Sequence, residues 1–340
     1  MTAPVSRTDR NLLELLEVSK EFAVRSGGRR ARLSAVDRVS LEVRRGTTLG
    51  IVGESGCGKS TLARLIVGLH MATSGEMLFD GRQVHTARKR PASVVEHMQM
   101  VFQDPSSALN PRATIGESIA FPLRVRGGSK REIEQRVAEV IGDVGLPAAY
   151  ASHYPHQLSG GQRQRVNIAR ALALQPRLVV LDEAVSALDK SIQAQVLNLL
   201  TDLQDEYRLT YVFISHDLNV VRYVSEDVAV MYLGQVVERG SAAELYERPA
   251  HPYTQLLLSS VPALDPTKST RDAPVDSGEG EIPSPIDPPS GCRFRTRCPF
   301  AMDVCSATAP TPVEVAPGHT VACHLHPASS TTSMPPKASH

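Results

Sequence analysis

The alternation of apolar and polar positions divides the first two thirds of the chain into strands and helices. Period-two alternation, typical of half-buried strands, marks LLELLEVSKEF and VSLEV. Nearly continuous apolar runs, typical of strands covered on both faces, are TLGIVG, LVVLDE and TYVFIS. Apolar residues at helical spacing mark STLARLIVGL, REIEQRVAEVIGDVGL, GGQRQRVNIARALAL and AQVLNLLTDLQDEY. Because such strands and helices alternate, the pattern predicts an α/β fold with a parallel sheet.

The pattern changes in the last third of the chain. HPYTQLLLSS predicts one more helix, and residues 262–289 are dense in Pro, Asp, Ser and Gly, as in a linker or an irregular surface loop. A segment rich in cysteine follows, and residues 327–340 have the composition of a disordered tail. We therefore predict a main domain over 11–235, with a helical subdomain at about 106–170, and a C-terminal region over 236–326.

Composition and charge exclude several classes of protein. The chain has 340 residues, of which 41% are hydrophobic, so it can bury a sizeable core in more than one packed unit. Its 37 Lys and Arg residues balance 36 Asp and Glu residues, which argues against a nucleic-acid partner. No apolar run reaches the roughly 18 residues of a membrane helix, and the start lacks the apolar segment of a secretory signal. We expect a soluble cytosolic chain.

A glycine-rich loop between a buried strand and a helix predicts a phosphate-binding site. The loop reads GESGCGKST and matches the pattern G-x-x-x-x-G-K-[ST]. Its backbone N–H groups and the start of the following helix surround phosphates, Lys59 reaches the β- and γ-phosphates, and Ser60 binds Mg²⁺. The candidate nucleotide-binding residues are Gly53, Glu54, Ser55, Gly56, Cys57, Gly58, Lys59, Ser60 and Thr61.

The buried strand LVVLDE ends in two adjacent carboxylates. Asp182 is placed to act as the metal partner of the phosphate loop, and Glu183 follows it. Ligands of open α/β sheets bind outside the carboxyl ends of the strands, so both side chains are expected near the bound phosphates. The alternative interpretation, a solvated strand end, is weaker because a phosphate loop is present in the same chain.

Further motifs resemble those of the ATP-binding-cassette (ABC) family, in the order in which that family carries them. LSGGQRQR resembles the signature, VFQDP the Q-loop, SALD the D-loop and ISHD the switch-histidine segment. Phe22 in SKEF resembles the aromatic residue that stacks on adenine. The resemblance implies ATP and Mg²⁺ as ligands. It also implies a P-loop, RecA-like parallel sheet core with an antiparallel β subdomain, a helical signature subdomain and a small C-terminal segment containing cysteines.

The resemblance also assigns roles to the matched residues. Glu183 activates the attacking water, Gln103 senses Mg²⁺ and the γ-phosphate, and His216 contacts the γ-phosphate. Each ATP lies between the phosphate loop of one subunit and the signature of another, in a head-to-tail pair. The implied magnesium ligands are Ser60, Gln103 and Asp182. The implied signature and D-loop residues are Ser159, Gly160, Gly161, Gln162 and Asp189. Ala184 departs from the family, which usually has Pro after the catalytic Glu.

Longer stretches resemble the ATPase subunits of oligopeptide and dipeptide importers, over about residues 11–326. They include FQDPSSALNPR, YPHQLSGGQRQR, HPYTQLLLSSVP and IPSPIDPPSGCRFRTRCPF. The resemblance implies a peripheral ATPase at the cytoplasmic face of the cell membrane that powers peptide import. The implied partners are a second, related ABC ATPase, two transmembrane permeases and an extracytoplasmic substrate-binding protein. Two alternatives are import of nickel or another small solute, and a soluble non-transport ABC ATPase that acts as a regulatory or ribosome-associated switch.

Four of the five cysteines lie late in the chain and are candidate metal ligands. A reducing compartment disfavours a disulfide framework, which makes a metal site the better interpretation. The segment resembles the end of the same branch, which in some members holds a 4Fe–4S cluster. Zn²⁺ and unligated structural cysteines are the alternatives, although the spacing lacks a CxxC pair. The four residues are Cys292, Cys298, Cys305 and Cys323.

Overall fold

A computed structural model describes four stretches of the chain, which are residues 11–26, 28–84, 92–260 and 283–327. Most of the predicted linker and the predicted tail beyond residue 327 lie outside these stretches.

The strands are β1 (Asn11–Ser26), β2 (Arg29–Arg44), β3 (Thr48–Val52), β4 (Ser74–Phe79), β5 (Arg82–Gln83), β6 (Met98–Val101), β7 (Leu178–Asp182), β8 (Thr210–Ile214), β9 (Asp227–Tyr232), β10 (Gln235–Ser241), β11 (Val313–Ala316) and β12 (His319–Val321).

The helices occupy the intervals between strands, as the apolar spacing predicts. They are α1 (Lys59–Ile66), α2 (Ala92–His97), α3 (Pro105–Ala108), α4 (Ile115–Arg126), α5 (Lys130–Asp143), α6 (Gly160–Leu172), α7 (Lys190–Tyr207), α8 (Leu218–Val224), α9 (Ala242–Glu247), α10 (Pro252–Ser259) and α11 (Asp303–Ala307). Over the described stretches, no helix is both long and apolar enough to cross a membrane.

Two sheets form the framework. One is antiparallel with the strand order β2-β1-β4-β5, and the other has the order β11-β12-β10-β9-β3-β8-β7-β6. In the larger sheet the strands from β9 to β6 pair in parallel, whereas β9, β10, β12 and β11 pair antiparallel. The predicted α/β fold, with a parallel core and an antiparallel subdomain, is confirmed.

The central strands are buried on both faces, which explains their nearly continuous apolar sequence. Every position of β3, β7 and β8 is buried. Successive side chains of a strand point to opposite faces, so neighbouring residues enter different cores. Leu181 and Phe213 belong to the core shared with the helices α4, α5 and α6. Val180 and Val212 belong to the core shared with α1 and the antiparallel sheet.

The helices α4, α5 and α6 each begin at a side-chain cap. Thr114, Ser129 and Ser159 accept the backbone N–H of the residue three positions later, and the Glu or Gln at that position accepts the N–H of the cap. This reciprocal arrangement satisfies donors that the first turn of a helix leaves unpaired. The caps fix where each helix begins, and the last of them places the signature sequence at the start of α6.

The large sheet continues through the predicted boundary between residues 235 and 236. β10 pairs with β9 on one side and with β12 on the other, where Glu238 lies opposite Val321. The apolar pattern does not predict β10 to β12, because β10 mixes charged and apolar residues and β11 and β12 span only four and three residues. The described C-terminal residues are thus joined to the main sheet by backbone hydrogen bonds.

Candidate nucleotide-binding and catalytic site

The phosphate loop joins β3 to α1 and closes around the ammonium group of Lys59. Lys59 Nζ donates hydrogen bonds to the carbonyl oxygens of Gly53 at 2.7 Å and Glu54 at 2.9 Å. The residue before α1, Gly58, has a φ of 109°, and a Cβ there would lie 2.1 Å from the carbonyl oxygen of Ala35. Only glycine fits this left-handed, crowded position. The sequence therefore folds the loop with its cation inside and a helix N-terminus beside it.

The predicted catalytic side chains lie at the carboxyl ends of adjacent strands. In the sheet order β3-β8-β7-β6, the phosphate loop follows β3, His216 follows β8, Asp182 ends β7 and Gln103 follows β6. Parallel strands bring such residues to one edge of the sheet. This arrangement is why residues that are far apart in sequence meet at a single site.

Two hydrogen bonds and one close charged contact link these side chains in pairs. Ser60 Oγ donates to Asp182 Oδ1 at 3.0 Å, which ties the phosphate loop to β7. Gln103 Nε2 donates to Glu183 Oε2 at 2.7 Å. The other carboxylate oxygen, Glu183 Oε1, lies 3.6 Å from His216 Nδ1. Glu183 therefore lies between the two residues that are expected to contact the γ-phosphate.

The backbone of Glu183 is held in a left-handed conformation. Its φ is 49°, which is uncommon for a residue other than glycine. Its N–H donates to the carbonyl oxygen of Ile214 at 2.9 Å, and its own carbonyl oxygen accepts the hydroxyl of Ser186 at 2.9 Å. Strained residues of this kind persist where the surrounding structure fixes them, and they cluster at functional sites. In this backbone conformation the carboxylate of Glu183 contacts Gln103 and His216.

The oxygen donors at this site suit magnesium. Mg²⁺ prefers hard oxygen ligands and takes a few protein groups together with phosphates and water. The Ser60 hydroxyl and the Asp182 carboxylate supply such oxygens within hydrogen-bonding distance of each other. Burial, followed by the negative charge of Glu183, raises the pKa of Asp182, although the Ser60 hydroxyl opposes this. A cation next to Asp182 would favour its charged form, so these residues fit the ion.

The signature residues form a second group. Gly161 lies on the first turn of α6 where it packs against α7, since a Cβ at this glycine would lie 2.5 Å from Ile192. Asp189 is the residue before α7 and accepts a backbone hydrogen bond from Gln193. Within the described chain, no hydrogen bond or ion pair joins the signature residues to the phosphate loop or to Glu183. The structure thus places the signature beside the D-loop and apart from Glu183, whereas the D-loop itself is hydrogen-bonded to Glu183 through Ser186.

Phe22 lies on β1 of the antiparallel sheet. Its ring is half-buried and packs edge-to-face against His70, with 5.4 Å between the ring centroids. The ammonium group of Lys20 lies 5.0 Å from the centre of the ring. The assignment of Phe22 as the residue that stacks on adenine stays a prediction.

The C-terminal region contacts the phosphate loop, which the sequence analysis did not predict. The guanidinium group of Arg297 forms two hydrogen bonds with the carboxylate of Glu54, at 2.7 and 2.9 Å. The hydroxyl of Tyr253 accepts the backbone N–H of Glu54 at 2.8 Å. The N–H of Gly234, in the turn between β9 and β10, donates to the carbonyl oxygen of Cys57 at 2.8 Å. The only sequence signal was the basic residues between Cys292 and Cys298.

The predicted metal site on the late cysteines is not supported. In the residues that the structure describes, which include all four, no group of three or more His, Cys, Asp or Glu side chains is placed to hold a metal ion. All four thiols are free. Burial, together with the charges that the other three thiols would carry, raises the pKa of Cys323 to about 11, and a bound metal ion would lower it again. The placement of the side chains therefore gives no support to the 4Fe–4S cluster or to the Zn²⁺ alternative.

Comparison with protein families assigns most of the chain to two regions. Residues 36–186 match the family described as ABC transporter. Residues 237–305 match the oligopeptide/dipeptide transporter, C-terminal region. The first match contains the phosphate loop, Gln103, the signature and Glu183, and the second contains Tyr253 and Arg297. The two groups of residues that meet at Glu54 therefore come from different family regions.

Individual relatives and solved structures agree with these matches. The oligopeptide transport ATP-binding protein AppF of Bacillus subtilis (strain 168) is 49% identical over 332 residues, which is 96% of this chain and 100% of that protein. A putative peptide import ATP-binding protein of Brucella abortus (strain 2308) is 51% identical over 89% of this chain and 90% of its own length. The structure of cbiO1 from Clostridium perfringens, part of the ABC transporter complex cbiONQ, is 28% identical with a TM-score of 0.62, and the match covers 70% of this chain and 92% of that one.

A fourth match concerns a structure that contains nucleotide products. The dimeric, post-hydrolysis structure of an ATP-binding cassette bound to ADP and phosphate is 32% identical to this chain, with a TM-score of 0.59. The match covers 68% of this chain and 98% of the cassette.

Proposed function

The chain belongs to the ABC transporter family, and we propose that it is the ATP-hydrolysing subunit of an importer for peptides. The observation that carries the proposal is the contact of Glu183 with both Gln103 and His216 at the strand ends beside the phosphate loop. The C-terminal match and the names of the relatives support peptides as the cargo.

We assign the catalytic roles from the geometry of this group. Glu183 accepts a proton from the attacking water, because its carboxylate is the acceptor that Gln103 and His216 both face. Gln103 and His216 hold the carboxylate from two sides, and we assign to both a contact with the γ-phosphate. Lys59 and the first N–H groups of α1 neutralise the negative charge of the phosphates. Ser60 and Asp182 would hold Mg²⁺, which would supply further positive charge beside the phosphates.

We propose that the signature acts on ATP held by another ATPase subunit. Its separation from the catalytic group within this chain supports the arrangement, and so does the dimer described for the ADP-bound cassette. Ser159 and the N–H groups of Gly160 and Gly161 then form the second phosphate-binding helix start. We expect the other ATPase to be a related chain, with Asp189 near the contact between the two.

Membrane partners follow from the family. We propose that the protein is peripheral, at the cytoplasmic face of the membrane, and that it works with two permeases and an extracytoplasmic substrate-binding protein. Affinity purification from detergent-solubilised membranes, with mass spectrometry of the partners, tests this. Recovery of two multi-span permeases and a second ABC ATPase is expected. Recovery only from the soluble fraction, with ribosomes, would contradict transport, and a nickel-binding partner would contradict peptides.

A variant of Glu183 tests the chemistry. We expect Glu183→Gln to lower ATP hydrolysis by about 100-fold or more and to leave ATP binding intact, because the amide keeps its shape but cannot accept the proton. Phosphate release and equilibrium nucleotide binding measure the two effects. Glu134→Gln, a change on the exposed face of α5, is the matched control and should hydrolyse like the wild type. Normal hydrolysis by Glu183→Gln would refute the assigned base.

A further inference from the structure

Two side chains of the C-terminal region hold Glu54, the second residue of the phosphate loop. Arg297, 243 residues away in the sequence, forms a two-point ion pair with the Glu54 carboxylate. Tyr253 accepts the Glu54 N–H at 2.8 Å. Together they fix both the side chain and the backbone of one loop residue.

The ion pair differs from an ordinary surface pair because both partners are largely covered. The exposed fractions of the side chains are 11% for Arg297 and 23% for Glu54. The guanidinium group lies 5.9 Å from the centre of the Phe294 ring and 6.0 Å from that of Tyr232. These rings pack together with Tyr253, which is itself fully buried. Two-point pairing and partial burial make such a pair geometrically specific.

The held residue is connected directly to the phosphate-binding cation. The carbonyl oxygen of Glu54 accepts a hydrogen bond from Lys59 Nζ. A shift of Glu54 would therefore move a group that orients Lys59. The Glu54 carboxylate also adds negative charge to a loop whose ligand is strongly negative, and the Arg297 guanidinium cancels that charge. The ion pair thus affects phosphate binding both through geometry and through electrostatics.

We propose that Arg297 is a positioning residue for ATP: through Glu54 it sets the conformation and the charge of the phosphate loop. The affinity for ATP consequently depends on the cysteine-containing segment that carries Arg297. The inference rests on the proposed function, because it assumes that ATP binds at this loop. Arg297 does not act on the reacting atoms, so its effect falls on nucleotide binding more than on the hydrolysis step.

A double-mutant cycle tests the proposal. KM for ATP and kcat are measured for the wild type, Arg297→Gln, Glu54→Gln and the double variant, at low and high salt. We expect Arg297→Gln to raise KM about 10-fold with a smaller change in kcat, because it leaves the Glu54 charge unpaired. The increase should shrink as salt rises, since salt screens charge repulsion. In the Glu54→Gln background, loss of Arg297 should cost much less, because the pair is already broken.

Arg295→Gln is the matched control, because Arg295 lies in the same segment but donates to Ser290 instead of the loop. It should keep the wild-type KM. Equal KM values for Arg297→Gln and Arg295→Gln, or additive effects in the double variant, would overturn the proposal. If the Arg297→Gln variant does not fold, Arg297→Lys is measured in its place. Lys keeps the positive charge but cannot form the two-point contact with Glu54, so KM for ATP should rise about 3-fold. Absence of ATP hydrolysis in the wild type would instead contradict the proposed function.

Discussion

The phosphate loop and the signature both end at a helix N-terminus that is expected to bind phosphate, but the two are built differently. The residue before α1 is Gly58, which has no side chain and lies beside the buried ammonium of Lys59. The residue before α6 is Ser159, whose hydroxyl accepts the N–H of Gln162, while the Gln162 side chain accepts the N–H of Ser159. The first end therefore has no side-chain cap, whereas at the second the N–H groups of Ser159 and Gln162 are paired with its own side chains.

The difference indicates how each end is kept in shape. The loop before α1 is enclosed by protein, because Ala35, Gly234 and Arg297 contact it from other elements. It has no side-chain cap, and the N–H groups at the start of α1 are the ones expected to bind phosphate. Ser159 is exposed, so the start of α6 is not enclosed by other elements in the way that the phosphate loop is. Its capping box supplies that local stability. Neighbouring elements thus shape the first end, and its own sequence shapes the second.

Gly58→Ala should give the largest effect, because the enclosed end has no room. The added Cβ would lie 2.1 Å from a backbone oxygen and would also need a left-handed φ. We expect a loss of about 3 kcal/mol or more in the free energy of unfolding, measured in urea. Gly127→Ala is the control; its φ is also positive but nothing lies within 4 Å, so it should lose about 1 kcal/mol. Equal losses would show that crowding is not the cause.

A third helix N-terminus extends the comparison, because its cap is a histidine that supports the phosphate loop indirectly. His251 Nδ1 accepts the N–H of Tyr253, and Tyr253 in turn holds Glu54. Burial, and to a lesser extent His326, lowers the pKa of His251 from 6.5 to about 3. The unfolded chain then binds the proton more readily, so this contribution is complete above pH 6.5 and is lost as the pH falls toward 3.

We therefore expect the wild type to lose about 2 kcal/mol of stability between pH 6.5 and 5 from this group. His251→Asn keeps a hydrogen-bond acceptor at the cap but does not titrate, so its free energy of unfolding should change less over the same range. Urea unfolding at pH 7.5, 6.5 and 5 measures the two slopes. Identical slopes would show that His251 is not the group responsible.

The smallest change in stability is expected at the self-capped end. Ser159→Ala and Ser129→Ala each remove the cap of a capping box and should each cost about 1 kcal/mol. Only Ser159 belongs to the signature, so only Ser159→Ala should also lower ATP hydrolysis, by about 10-fold or more. Thermal unfolding and phosphate release measure the pair. Equal hydrolysis by the two variants would contradict a nucleotide contact at Ser159.

The catalytic group could be predicted from the sequence because each of its parts is local. A glycine loop after an apolar strand defines one strand end, and LVVLDE and ISHD define two others. The rule that parallel strands present their carboxyl ends at one edge then brings Lys59, Glu183 and His216 together without any knowledge of distances. Gln103 was assigned by resemblance alone, because the apolar pattern does not mark β6, the strand that it follows.

The support of the phosphate loop could not be predicted in this way. Arg297 lies in an irregular segment with no periodic pattern, and Arg293 and Arg295 beside it have the same chemical character. Which of the three reaches Glu54 depends on how the segment packs against Tyr232 and Phe294. The cysteine prediction is not supported for a related reason, since spacing along the chain does not determine where four thiols point.

The pairing of β10 with β12 affects where the chain can be truncated. The short β12 covers the hydrogen-bonding edge of β10 next to the parallel core. A chain cut between β10 and β12 would expose that edge, and bare edges pair with other chains. Truncation would thus yield a self-associating cassette with a loosened phosphate loop. The C-terminal residues thus protect the cassette against aggregation. Because they are part of the main sheet, they cannot be exchanged between proteins as a separate module.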